Sequence, residues 1–102
     1  MSVAKPSDVR AFLTRYLDER LREQRRVPPD VYREDYDLLL SGVVDSLGFI
    51  EMIAATAEHF SCEIDLTALD PEKMTVIGDL SLFIAGQMRR QHEEVAATPS
   101  CL

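Results

Sequence analysis

Gly42-Val43-Val44-Asp45-Ser46-Leu47-Gly48-Phe49-Ile50-Glu51-Met52-Ile53 is the stretch on which the fold of this chain turns. Ser41-Gly42 marks a turn. Asp45 has the side chain of a helix N-cap, able to accept an amide hydrogen bond from the first turn. Behind it, Leu47, Ile50, Ile53, Ala54, Ala57 and Phe60 recur at helical spacing and predict one apolar side of a helix. Ser46 then projects from the first turn, exposed. Phe49 and Met52 lie off that stripe. With Leu47 they form an exposed apolar patch, or the preceding connection covers them. Ser61-Cys62-Glu63 ends the helix.

Working outward, Val9, Phe12, Leu13, Tyr16, Leu17 and Leu21 repeat at spacings of three and four, which predicts an earlier amphipathic helix. Ser7 is its expected N-cap, and Asp8 suits the positive end of the helix dipole. Arg20, Arg22, Arg25 and Arg26 crowd the other end, where cations are favoured; such a basic stretch is either a docking site or, as is usual on an amphipathic helix, a solvated face. Pro28-Pro29 is the expected stop. The connection from Val27 to Val44 is long for a small domain. It is acidic through Asp30, Glu34, Asp35 and Asp37. Val31, Tyr32, Tyr36 and Leu38–Leu40 are its candidate anchors on the core. Leu66–Leu69 is long enough for a single turn, capped by Asp65 and stopped by Asp70-Pro71. A last helix is expected from Thr75, buried through Val76, Ile77, Leu80, Phe83, Ile84 and Met88. Gly78 and Gly86 weaken its intrinsic propensity, so packing must hold it. No segment alternates with period two, so strands are not expected. The fold class is all-α, a small three- to four-helix bundle with a long loop between the first and second helices. Residues 1–6 and 93–102 are expected to be flexible tails around a domain at 7–92.

The chain has 102 residues, 46% hydrophobic, enough for one compact core. Its net charge of -7 is unevenly placed. Residues 1–26 hold seven Lys/Arg against four Asp/Glu, and residues 27–102 hold four against fourteen. An acidic body repels phosphate backbones, which argues against nucleic acid, including as a helix-turn-helix DNA binder, and favours partners with basic surfaces. Cys62 and Cys101 have no metal-ligand spacing, and no metal site is expected. Catalytic motifs are missing: there is no G-x-S-x-G elbow, no H-E-x-x-H pair and no phosphate-cradling glycine loop. His59 and His92 read as structural, with His59 at a helix end where partial positive charge is stabilising. No apolar run approaches membrane-spanning length, and there is no signal-peptide pattern at the N-terminus. A cytoplasmic monomer without membrane contact is the resulting expectation.

From about Pro6 to Gln87 the chain resembles the acyl carrier family, which includes the peptidyl and aryl carrier proteins. The resemblance is carried by Asp45-Ser46-Leu47 opening the second helix, the apolar residues before it and Glu51 after it. Glu58-His59-Phe60, Glu63-Ile64, Leu69-Asp70-Pro71 and the closing apolar helix extend it. It implies a bundle of acyl-carrier type and a non-catalytic protein. Ser46 would be the attachment point of a covalent 4'-phosphopantetheine arm, moved from coenzyme A by a phosphopantetheinyl transferase with magnesium. The arm's thiol would hold a substrate as a thioester. Asp45, Leu47, Ile50 and Glu51 fall where the family meets its partner enzymes. Those partners are the transferase, an adenylating or acyl-transfer loading enzyme, and downstream biosynthetic enzymes. Carriers of fatty-acid synthesis show an acid directly after the motif, where this chain has Gly48. That departure implies more apolar docking and a freestanding carrier of a specialised pathway of polyketide or nonribosomal peptide type. The competing class is a helical interaction module that keeps the carrier fold and is never modified.

Overall fold

Val9, Leu13, Leu17 and Leu21 are fully buried along one side of the first helix, α1 (Pro6–Glu23), as their spacing predicts. The computed structural model describes residues 5–68 and 75–97, without the side chains of 66 and 90–97. Within these residues the chain is mostly helical, with three α-helices and no strand. The second helix, α2, spans Ser46–His59, and the third, α3, spans Ile77–Ala97. A single 3-10 turn covers Leu66–Ala68. Helix α1 packs against both α3 and α2, so α1 is the spine on which the other two lean.

Helix ends differ from the sequence expectation in instructive ways. Lys5, not Ser7, precedes α1, and its backbone N–H donates to the Asp8 carboxylate at 3.0 Å. Pro6 takes the first helical position, where its missing N–H costs nothing. The far end closes before the proline pair. Arg25 adopts a left-handed conformation (φ 59°), and Arg26 N–H donates to Leu21 C=O at 2.7 Å. Arg25 N–H donates to Arg22 C=O at 2.9 Å, completing a Schellman closure. The same closure ends α2, with Ser61 at φ 52° and Cys62 N–H on Ala57 C=O at 2.9 Å. Helix α3 begins at Ile77 rather than Thr75 and continues to Ala97, into the stretch expected as a C-terminal tail.

The face that α2 buries is not the one its spacing suggests. Phe49, Met52, Ile53 and Thr56 are buried, whereas Leu47 and Ile50 are 69% and 47% exposed and Ala54 is exposed. Both alternatives for Phe49 and Met52 are thereby decided: these residues join the core, and the exposed apolar pair is Leu47 and Ile50. The cause is that α2 is apolar on two sides, and the partners supplied by α1 and the long connection select between them.

The connection, residues 24–45, is held by backbone hydrogen bonds to the start of α3 and the residues just before it. Leu38 N–H donates to Thr75 C=O (2.8 Å), Ile77 N–H to Tyr36 C=O (2.9 Å) and Gly78 N–H to Glu34 C=O (2.9 Å). Asp37 makes an isolated bridge with Val76, and its carboxylate accepts from Thr75 Oγ1 and from the N–H groups of Leu39 and Leu40. Tyr32 and Leu38 are buried and Tyr36 and Leu39 pack against them, but Val31 and Leu40 point outward. Gly78, which costs helix propensity, is required by this contact: a Cβ there would lie 2.7 Å from the Glu34 carbonyl oxygen. Asp65 caps the 3-10 turn through Thr67, and its backbone is gripped by the buried Gln87 side chain, whose Oε1 accepts from Asp65 N–H at 2.7 Å. The Asp70-Pro71 stop lies outside the described residues.

Gly78→Ala is therefore expected to lower stability by about 1–3 kcal/mol in a urea titration, because backbone must move to admit one methyl. The Tyr32 hydroxyl donates to Asp18 at 2.8 Å, and burial first, then this bond, raise its pKa far above the ordinary value. A raised pKa favours the neutral phenol in the folded state. Its contribution is present below the ordinary tyrosine range and lost as pH climbs above it. Ultraviolet titration should show one of the three tyrosines ionising only as the chain unfolds, a late step absent in Tyr32→Phe.

Candidate functional site

Asp45 holds the start of α2. Its backbone is extended (φ -90°, ψ -178°), and its carboxylate accepts the Gly48 N–H at 2.6 Å. Phe49 N–H closes the first turn on Asp45 C=O at 2.8 Å. Gly48 belongs to this cap: a Cβ there would stand 3.0 Å from Asp45 Oδ1 and 3.5 Å from Val44 Cβ. The close carboxylate-to-amide contact and the glycine thus go together. Just upstream, Gly42 takes φ 79° and turns the chain, and Val43 and Val44 are buried as anchors.

Ser46 is the first residue of α2 and is exposed. As on any helix, the amides of the first turn lack intrahelical acceptors and favour negative charge. Leu47 and Ile50 flank the serine as exposed apolar side chains. Glu51 is also exposed and pairs with Arg20 of α1 at 3.2 Å. All five residues singled out from the sequence, Asp45, Ser46, Leu47, Ile50 and Glu51, therefore lie within the first turn and a half of α2 or its cap.

The structure adds Tyr16, Gln24 and two arginines of the basic stretch to the surroundings of these residues. A groove of about 300 Å³ runs between the C-terminal part of α1 and the start of α2. Tyr16, Arg20, Gln24 and Arg26 line one side, and Asp45, Leu47, Gly48 and Glu51 the other. The hydrogen bond to Glu51 is the chief cause that raises the Arg20 pKa further above its already high ordinary value. Arg26 does not project freely either. Its guanidinium donates to Gly42 C=O at 2.8 Å and Val43 C=O at 3.5 Å, tying the end of α1 to the turn before the serine. The basic cluster was visible in the sequence, but its direction depends on the left-handed Arg25 that swings Arg26 back over the connection.

Elsewhere the chemistry is quiet. His59 stacks on Phe12 (centroids 4.4 Å apart) with Phe60 edge-on, a packing role that agrees with its expected structural part. Burial pushes the Cys62 thiol pKa up, which leaves it a poorer nucleophile than an exposed thiol. Cys101 and the His92 side chain lie outside the description. Among the described residues there is no cluster able to hold a metal ion, and no helix is long and apolar enough to cross a membrane. No family model, curated protein or solved structure matches the chain.

The cap and the serine have separable roles. Asp45→Ala is expected to lower stability by about 0.5–2 kcal/mol through loss of the Gly48 amide bond, with Asp45→Asn retaining most of it. Ser46→Ala should stay within about 0.5 kcal/mol of the parent, since the side chain is exposed. Urea denaturation of the three variants checks both.

Proposed function

We propose that this chain is a carrier protein that holds a biosynthetic intermediate as a thioester on a 4'-phosphopantetheine arm attached to Ser46. The observation that carries this reading is an exposed hydroxyl at the first position of a helix, with uncovered apolar side chains beside it. The order of elements fits a bundle of acyl-carrier type: a first helix, a long connection, a second helix opened by Asp45-Ser46-Leu47, a short turn and a closing helix.

The residues present suit the group. Ser46 Oγ is open to an incoming enzyme, and the first-turn amides favour the phosphodiester anion that modification would create. Asp45 opposes that anion less than its position implies, because its carboxylate is turned onto the Gly48 amide. In the transfer, Ser46 Oγ would form the new P–O bond and give up its proton. The bond from phosphorus to the nucleotide part of coenzyme A would break, releasing adenosine 3',5'-bisphosphate. When attached, the arm supplies a terminal thiol for thioester chemistry. The chain's own residues do the rest. Asp45 keeps the serine at the helix start, Leu47 and Ile50 offer a docking surface, and the α1–α2 packing keeps that surface in place. The carrier catalyses nothing itself. It raises the effective concentration of its cargo at successive active sites.

The exposed pair Leu47 and Ile50 makes docking on this face chiefly apolar, in keeping with a loading enzyme and downstream enzymes of a specialised polyketide or nonribosomal peptide type pathway. The same pair would serve an unmodified interaction module, so modification is the discriminating measurement. Incubation with coenzyme A, magnesium and a promiscuous phosphopantetheinyl transferase is expected to add the mass of one arm, seen by intact-mass spectrometry. Ser46→Ala should gain nothing. Absence of any gain with several active transferases would replace the carrier reading by the interaction module.

A further inference from the structure

We propose that the groove between the end of α1 and the start of α2 is the resting seat of the arm, with Arg26 as the counter-cation of its phosphodiester. This rests on attachment at Ser46. The serine is not itself a lining residue, but its neighbours in sequence, Asp45 and Leu47, both line the groove, so a chain leaving its Oγ has to pass only one of these two side chains to enter it.

The lining suits a polar, amide-containing chain better than an acyl tail. Arg26, Gln24 and Glu51 supply donors and acceptors, and Tyr16 and Leu47 supply apolar contact. The two arginines of the groove differ in charge balance. Arg20 is neutralised by Glu51 at 3.2 Å. Arg26 makes its hydrogen bonds to Gly42 and Val43 carbonyls and to the Gln24 side-chain oxygen, and among the described residues it has no carboxylate within ion-pair distance. An arginine already anchored through neutral acceptors keeps its full charge and loses little further freedom on meeting an anion. That charge shares a groove with both sequence neighbours of the serine where an anion would be created, on a chain whose overall charge is -7.

The larger groove of the described structure, about 560 Å³, is a poorer seat. It lies at the opposite end of α1, around Pro6, Arg10, Glu34, Asp79 and Leu82, and shares no lining residue with the first. Its carboxylates outnumber its one arginine, which is already paired with Glu34 at 3.5 Å.

The test uses the full chain, labelled with carbon-13 and nitrogen-15, carrying an unlabelled arm and verified by intact mass. Isotope-filtered NOE spectra are expected to connect the arm's methyl protons to the Tyr16 ring and Leu47 methyls. The Arg26 Nε–H resonance should shift between the unmodified and modified protein. Gln24→Trp fills the groove from an exposed position outside the core and should reduce these NOEs several-fold, leaving amide shifts elsewhere unchanged. Arg26→Gln should reduce them and Arg26→Lys should largely restore them. A protein with the verified mass gain whose arm gives no NOE to the groove, or gives them only to the Pro6–Arg10 groove, overturns the seat and leaves the carrier reading standing. Failure to gain mass overturns both.

Discussion

Residues 34–38 are pinned to the start of α3 by three backbone hydrogen bonds, and the placement of α2 follows from them. A long connection in a small protein has many peptide groups and no ladder to satisfy them. Here Glu34 and Tyr36 accept from Gly78 and Ile77, and Leu38 donates to Thr75, while Asp37 ties its own turn and the Thr75 hydroxyl together. Once these bonds form, Leu38 falls into the core and Val43 and Val44 follow. The chain then turns at Gly42 and reaches Asp45 with its direction already set. Gly78 is the point where this contact tolerates no side chain.

The start of α2 is assembled from both sides. Asp45 and Gly48 form a tight cap at the helix start, Arg20 reaches across from α1 to Glu51, and Arg26, just past the end of α1, reaches the turn before the cap. The exposed ion pair adds little energy by itself. The carbonyl-bound Arg26 matters more, because it links two loop segments that would otherwise be joined only through the core. An acidic chain thereby presents a groove in which Arg20 and Arg26 offset Asp45 and Glu51, close to an exposed hydroxyl, with apolar Leu47 and Ile50 beside it. Polar and apolar faces next to Ser46 are suited to different occupants: a tethered polar chain and a docking protein.

Much of this was legible in the residues. The buried stripe of α1 is narrow and opposed by charge, so its spacing admits one orientation. Asp45 and Asp65 announce helix and turn starts because short carboxylates cap exposed amides wherever they stand. Helix α2 was harder. Leu47, Ile50, Phe49, Met52 and Ile53 cover more than one side, and no spacing rule chooses between two apolar faces. The ends of α1 and α2 were hidden for another reason. Both close with a left-handed residue that is not glycine, Arg25 and Ser61, so the usual signal is absent. The role of Gly78 was equally invisible, since its neighbour Glu34 is distant in sequence.

By itself, the sequence determined that this protein is mostly helical, which segments form its helices though not their ends, and that Asp45 and Ser46 open the second one. These are local properties, set by periodicity and by capping within a few residues. Which face of α2 turns inward, which of the connection's apolar residues anchor it, and where the arginines of α1 point were decided only in three dimensions. They depend on backbone groups and packing partners brought together from separate parts of the chain, and such contacts leave no mark in the order of residues.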